Sequence, residues 1–188
     1  MKFLERIFFV IPMGFKSRVR IITYRFFGMQ LGSKNRFEGG KCRSFKQIKI
    51  GNNNAFFGGG YTIWPVGDNY SGIRINIKDN SMFNKNLHID ACGYIEIGNG
   101  CMVGPDVYIA DSNHQVKFGV SSRNMPMDVG KVIIGDNCWI GAKAVILKDV
   151  ELGKNCVVAA GAIVTKSFPE GSVIGGIPAK LLRTLDKQ

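Results

Sequence analysis

Histidine is almost missing from this chain of 188 residues, which holds only His88 and His114. A three-histidine metal centre is therefore excluded, and no closely spaced Cys/His set replaces it. Acidic residues are also scarce, 14 against 25 lysines and arginines, leaving a net charge of +11. Such an excess suits anionic partners such as cofactor phosphates or a membrane surface, and it also serves plain solubility. Nucleic acid is set aside, because the charge is dispersed and neither a recognition helix nor an aromatic-interleaved RNA motif is present. The five cysteines are odd in number and lack CxxC spacing, so they predict buried thiols in a reducing compartment rather than a disulfide framework. Long hydrophobic runs are missing too: nothing approaches the roughly 18 to 20 apolar residues that span a bilayer. The opening "MKFLERIFFVIPMGF" is broken by Pro12 and lacks a small-residue cleavage site, so we expect a retained N-terminus and a cytoplasmic protein.

What the chain does have is a period. Ile134, Ile140, Ile146, Leu152, Val158 and Val164 fall at every sixth residue. Small or modest residues stand four places after successive rungs: Cys138, Ala144, Val150, Cys156 and Ala162. The pattern appears earlier at Ile97, Val103 and Ile109, and more faintly at Ile77, Phe83 and Ile89 and around Ile50 and Phe56. Neither the helical period of 3.6 nor the strand period of 2 explains six. A short flat strand followed by a tight turn does, with three such faces closing a coil of about 18 residues. Gly and Asn at Gly98-Asn99, Gly135-Asp136-Asn137 and Gly153-Lys154-Asn155 supply the corner angles.

Two stretches interrupt the repeat, "FFGGGYTIWPVGDNYSGIR" (56–74) and "DSNHQVKFGVSSRNMPMDVGK" (111–131), and both read as loops thrown out of the coil. Loops on a rigid scaffold tend to carry function. Residues 1–27 read as helical and basic, with Lys2, Arg6, Lys16, Arg18, Arg20 and Arg25 against Glu5 alone. Such a segment either caps the open end of the coil stack or lies on anionic lipid, and the two roles are compatible. The tail "IPAKLLRTLDKQ" reads as a short helix after Pro178. The expected organisation is a helical, capping segment over 1–45, a β-helix over 46–168 with loops at 57–74 and 111–131, and a tail with helix over 169–188.

The tandem [LIV]-G-x-x-[small]-x units resemble the hexapeptide-repeat acyltransferases, most closely from about Ile75 to Arg183. Within that family the likeness is greatest to galactoside and maltose acetyltransferases and to polysaccharide O-acetyltransferases. The resemblance implies a mainly β fold, a left-handed parallel β-helix working as a homotrimer with the active site between subunits. It also implies acetyl-CoA as acyl donor, a sugar acceptor and no metal.

Transfer from a thioester needs a base for the acceptor's proton and donors for the oxyanion, but no covalent enzyme intermediate. "DSNH" resembles the family's DHNH-type signature, which makes His114 the expected base; it stands eight residues after Asp106 of Gly104-Pro105-Asp106-Val107. Ser112 stands where many relatives have another histidine. Asn86, Asp111 and Asn113 are the expected acceptor-side residues, Asp111 either orienting the imidazole or capping a turn. His88 reads as packed or solvent-facing, with a lesser claim on the acceptor cleft. For coenzyme A, "CWIGAKAVI" and "AAGAIVTK" resemble family units and nominate Trp139, Ala142, Ala160, Gly161, Thr165 and Lys166. Lys180 and Arg183 are expected against its phosphates, which basic side chains bind through charge-assisted hydrogen bonds. The leading expectation is O-acetylation of a sugar in surface polysaccharide or lipopolysaccharide synthesis. The alternatives are N-acetylation of a nucleotide-linked amino sugar or small antibiotic, and a non-catalytic β-helix scaffold.

Overall fold

Six-residue units stack here because each has one inward rung and a corner that only a left-handed backbone can turn. The computed structural model describes residues 11–66 and 72–186. Its strands fall into three long sheets, of six, eight and six strands, which form the faces of a triangular coil. On face A the order runs Gln30–Leu31, Ile48–Ile50, Ile75–Ile77, Tyr94–Ile97, Lys131–Ile134 and Val150–Leu152. Each pairs in parallel with the next, as in Ile50↔Ile77, Ile77↔Ile97, Ile97↔Ile134 and Ile134↔Leu152. Faces B and C follow in turn within every coil, so the chain winds A, B, C and climbs one strand spacing, about 4.8 Å.

The predicted rungs are the core. Ile134, Ile140, Ile146, Leu152, Val158 and Val164 are all buried, and so are the small partners Cys101, Cys138, Ala144, Cys156 and Ala162. The three thiols on this axis donate to carbonyls one coil on: Cys101 to Gly135, Cys138 to Gly153 and Cys156 to Pro169. Toward the N-terminal end aromatic rungs replace aliphatic ones on face B. Phe37 stacks on Phe56 at 4.8 Å between centroids, and Phe56 on Phe83 at 4.5 Å. Corners repeat a left-handed residue with φ between 55° and 62°, at Asn53, Asn80, Asn86, Asp106, Asn137, Asp149 and Asn155. Asn and Asp tolerate that region because their side chains bond locally.

Helix α1 (Ile11–Phe26) closes the N-terminal end. Pro12 suits its first turn, where a missing N–H costs nothing. Gly28, at φ +95°, ends it while Met29 N–H bonds back to the Tyr24 carbonyl. Its inner face is Ser17 and Tyr24, both buried. Ser17 Oγ accepts from Phe37 N–H at 2.9 Å, and Tyr24 packs edge-on against Phe37 and meets Tyr61 Oη at 3.0 Å. Burial pushes the Tyr24 phenol up to about 12, so it stays protonated. The expected helical segment thus caps the coil over residues 11–26, while residues 1–10 lie outside the described structure.

Three expectations need correction. The coil begins at Gln30 rather than at 46, because Gln30–Leu31, Arg36–Phe37 and Lys41–Cys42 already pair in parallel with the next coil. The stretch 57–74 is not all loop: Thr62–Pro65 is a regular face C strand between Lys41–Cys42 and His88–Ala91. Val66 N–H still bonds the Ala91 carbonyl of the next coil, and residues 67–71 lie outside the described structure. Third, the tail is not a helix. Lys180–Thr184 is a strand antiparallel to Ser172–Gly175. A short exposed helix is marginal alone, whereas the open edge of face B offers unpaired backbone groups to a returning strand.

If α1 is the cap, Tyr24→Ala should lower stability by about 3 kcal/mol through the cavity over Phe37. Tyr24→Phe should cost about 1 kcal/mol through the lost Tyr61 hydrogen bond. Urea denaturation followed by circular dichroism reads both; an unchanged midpoint for Tyr24→Ala would contradict the capping role.

Candidate active site

Asp111 decides how the chain leaves the coil. The strand Tyr108–Ala110 places Ile109 inward, and Asp111 follows fully buried at the corner between faces C and A. Its carboxylate accepts from Cys92 N–H at 2.8 Å and Gly93 N–H at 2.9 Å, and its carbonyl accepts from Gly130 N–H. Burial raises its pKa, and the two amides partly oppose that rise. The side chain is a clamp on the preceding coil, and neither oxygen bonds His114 among the described residues. Past this clamp the expected loop is an antiparallel hairpin, Ser112–His114 against Met127–Val129, with His114 opposite Met127. Lys148 ties its return strand to the coil, bridging Asp128 and Asp149 at 2.9 Å each. Asn113 and His114 are exposed on this pinned stem, and the His114 imidazole has no hydrogen-bond partner in its own chain among the described residues. Beyond it Val116 and Phe118 stand in solvent.

A second corner, between faces B and C, gathers Asn86, Ala142, Ala160 and Gly161. Ala142 accepts from Gly161 N–H at 2.8 Å across one coil step. Backbones approach so closely that a Cβ on Gly104 would lie 2.7 Å from Ala142 N, and one on Gly141 would lie 2.5 Å from Ala160 N. The result is a corner of closely packed backbone, from which Lys143 projects into solvent beside Ala142. Asn86 belongs to the same corner but is already engaged: its Nδ2 donates to Asp106 Oδ1 at 2.8 Å.

Face B carries Trp139, 53% exposed, in an outward row running Met82, Met102, Trp139, Val157, Val173, Arg183. The tail strand thereby brings Arg183 into line with Trp139, about three strand spacings away, or roughly 14 Å. Lys180 starts that strand opposite Gly175. Thr165 and Lys166 are exposed after Ile163–Val164, on the same corner between faces C and A that Asp111 occupies, with Lys166 Nζ over the Phe168 ring. The structure therefore brings Ala142, Ala160 and Gly161 together, and Trp139 with Arg183. It leaves His114 on a different corner of the same chain, across the width of face C.

That intervening face holds a group of which the sequence marked only His88, and that with a lesser claim on the acceptor cleft. His88 Nε2 lies 3.1 Å from Asp90 Oδ2, Tyr108 Oη donates to the same oxygen at 3.1 Å, and the His88 and Tyr108 rings stack at 5.3 Å. Burial, aided by the Asp90 charge, pushes the Tyr108 phenol up to about 12, which keeps it a donor. Next to Asp90 in register is Trp64, with the Arg43 guanidinium 4.1 Å over its ring. The signal was the alternation His88-Ile89-Asp90, which sends both polar side chains outward beside Tyr108. Among the described residues no three His, Cys, Asp or Glu side chains are grouped to hold a metal ion.

A family profile described as hexapeptide repeat of succinyl-transferase matches residues 131–166. A putative acetyltransferase of Dictyostelium discoideum is 42% identical over 116 residues, 61% of this chain and 60% of that protein. A putative lipopolysaccharide biosynthesis O-acetyl transferase of Escherichia coli is 30% identical over 117 residues, 58% of this chain and 60% of its own length. The chain thus spans about 60% of the curated relatives it matches. Among solved structures, an N-acyltransferase from Bacillus cereus, in complex with dTDP and 3-hydroxybutyryl-CoA, superposes with a TM-score of 0.72. It is 17% identical, over 87% of each chain.

Because buried Asp111 spans two partly buried amides, Asp111→Ala should cost about 2 kcal/mol and open the 112–129 hairpin to proteolysis. Chemical denaturation and limited proteolysis together check this; unchanged stability would return Asp111 to an acceptor-binding role. In sequence and in fold, this chain is similar to the hexapeptide-repeat acetyltransferases and shares their coiled parallel β-helix.

Proposed function

We propose that the protein transfers an acetyl group from acetyl-CoA to a sugar hydroxyl, with His114 as general base. The observation that carries this reading is His114 itself, exposed and without a hydrogen-bond partner among the described residues, on a hairpin stem that Asp111 and Lys148 brace. A neutral imidazole carries a ring-nitrogen lone pair that can take the proton of an attacking hydroxyl. In the step, one imidazole nitrogen takes the acceptor's O–H proton as that oxygen attacks the thioester carbonyl carbon. Collapse of the tetrahedral oxyanion breaks the C–S bond, and the imidazolium returns its proton to the leaving coenzyme A sulfur, which restores the base. Backbone N–H groups along the Gly-rich corner are the candidate oxyanion donors.

Coenzyme A fits the surface described above by shape and charge. The narrow corner of Ala142, Ala160 and Gly161 gives a pantetheine arm backbone to lie against, with Trp139 beside it. Thr165 and Lys166, with Lys180 and Arg183, supply a hydroxyl and cations for the phosphates. Since Ala142, Ala160 and Gly161, and Trp139 with Arg183, lie away from the His114 corner of one chain, we take the complete site to form between copies, and a homotrimer is the assembly we favour. Exposed Val116 and Phe118 on the hairpin fit coverage by a neighbouring subunit.

The acceptor rests, in this reading, on the His88–Asp90–Tyr108 face, with Asn113 at the hairpin and Asn86 at the opposite corner as further contacts. Carboxylate, imidazole and phenol together offer acceptors and donors to sugar hydroxyls, and Trp64 adds an aromatic surface. Likeness to the Escherichia coli lipopolysaccharide O-acetyl transferase supports an acceptor in surface polysaccharide or lipopolysaccharide synthesis. Free cysteines favour a cytoplasmic setting, and the basic helix α1 favours an acceptor held at the membrane.

Thiol release from acetyl-CoA with panels of hydroxyl and amino sugars tests the class. Turnover on amino sugars alone would replace O-transfer by N-transfer, and no turnover with any acceptor would favour a scaffold. His114→Ala should lower the rate roughly 10² to 10⁴-fold while coenzyme A still binds; a near-normal rate would overturn the base assignment. Asp90→Asn and Tyr108→Phe should raise KM for the acceptor several-fold while leaving KM for acetyl-CoA unchanged. Equal effects on both substrates would remove this face from the acceptor site.

A further inference from the structure

We infer that α1 is a two-sided element, its inner face capping the coil and its outer face docking on an anionic lipid bilayer. This deepens the membrane-held acceptor proposed above, but its evidence is separate from the chemistry of acetyl transfer.

The inner face is accounted for: Ser17 and Tyr24 are buried, and Ile21 packs against the core. At 3.6 residues per turn the opposite side of the helix is Phe15, Val19, Ile22 and Phe26, which fall within an arc of about 60°. These four are 69%, 48%, 69% and 83% exposed, while Phe27, just past the helix, turns aside to stack on Phe45. A helix already anchored through one face has no packing reason to line the other with phenylalanine and isoleucine. Scattered surface apolar residues need no explanation, but a continuous row of four does.

Charge selects the partner. Lys16 and Arg20 flank the row on one side, and Arg18 and Arg25 on the other, while the helix carries no acid at all. Arg25 is braced against the coil by bonds to the Leu31 and Gly32 carbonyls, and Arg20 reaches the Phe37 carbonyl. These bonds hold their charge at the helix edge rather than remove it. Lys16 and Arg18 have no ion-pair partner among the described residues. An apolar ridge between two cationic edges is the arrangement of a helix lying in the plane of a lipid interface, its ridge some 5–10 Å into the headgroup boundary. Pairing with a second copy through the same ridge would set like-charged edges against each other in a protein already at +11. Anionic headgroups neutralise both edges instead. No helix among the described residues is long and apolar enough to cross a membrane, so the contact is peripheral.

The test is sedimentation of the full chain with vesicles of pure phosphatidylcholine and of phosphatidylcholine mixed with phosphatidylglycerol. Binding is expected to the mixed vesicles and to weaken at high salt, where screening shortens the reach of surface charge. Phe15→Ser combined with Ile22→Ser and Phe26→Ser should lower vesicle affinity at least about tenfold, since each exchange forfeits burial of a large apolar side chain. The same variant should keep its thermal midpoint, because these side chains make no core contact, and its rate on a water-soluble acceptor. Failure of the wild-type chain to bind mixed vesicles, or equal binding by the triple variant, would overturn the inference. So would loss of self-association in the variant without any vesicle binding, which would make the ridge an interface between copies. Loss of turnover with vesicle binding intact would instead count against the acetyl-transfer reading alone.

Discussion

Parallel coils lie about one strand spacing apart, and the hydrogen bonds that hold them there tolerate no slip. Moving a strand by one residue would turn Ile134 and Ile140 outward and Trp139 inward. Inward positions therefore admit only rungs such as Ile109, Ile146 and Val164, while corners admit only small or left-handed residues. Everything chemically distinctive is forced to outward rows, to corners or to departures from the coil. The three groups of interest sit in those three places: Trp139 and Arg183 in a row, Ala142 and Gly161 at a corner, and His114 on a departure.

Departures have to be anchored, because a hairpin on a rigid stack is only as fixed as its base. Asp111 supplies that anchor by putting a carboxylate inside the corner, where it meets two amides of the preceding coil. Lys148 adds a tie on the other strand. A catalytic base must be held within a few tenths of an ångström of its partner to be effective, and this bracing provides such a platform. The same logic explains α1: Tyr24 completes the aromatic stack of Phe37, Phe56 and Phe83, and so fixes which side of the helix looks outward.

How far the sequence could be read depended on whether a feature was local. From Val132 to Val164 each rung and its small partner lie within one six-residue unit, so the period shows directly. The first coil hid because Leu31, Phe37 and Cys42 are unevenly spaced and its corners use Gly39 and Gly40 rather than the Gly-Asn pattern. Thr62–Pro65 hid in a Gly- and aromatic-rich stretch, its membership fixed only by pairing with Lys41–Cys42 and His88–Ala91. The tail misled because Pro-Ala-Lys-Leu-Leu-Arg favours a helix locally, while the open strand edge that captures it is a property of the assembled stack. At the site, the His114 motif was visible as a break in rhythm. The meeting of His88, Asp90 and Tyr108 needed two coils in register, which no single window contains.

Our central claim is that one chain carries His114 and the coenzyme A corner on separate edges, so that a working site joins two copies. Subunit mixing tests it most directly. His114→Ala chains and chains carrying Arg183→Glu with Lys180→Glu, each inactive as a pure assembly, are unfolded together, refolded and assayed for thiol release from acetyl-CoA. Activity should return in the mixture, because some interfaces then pair an intact histidine with an intact cofactor corner. Mixed assemblies as inactive as their parents would place both halves of the site within one chain and contradict the account.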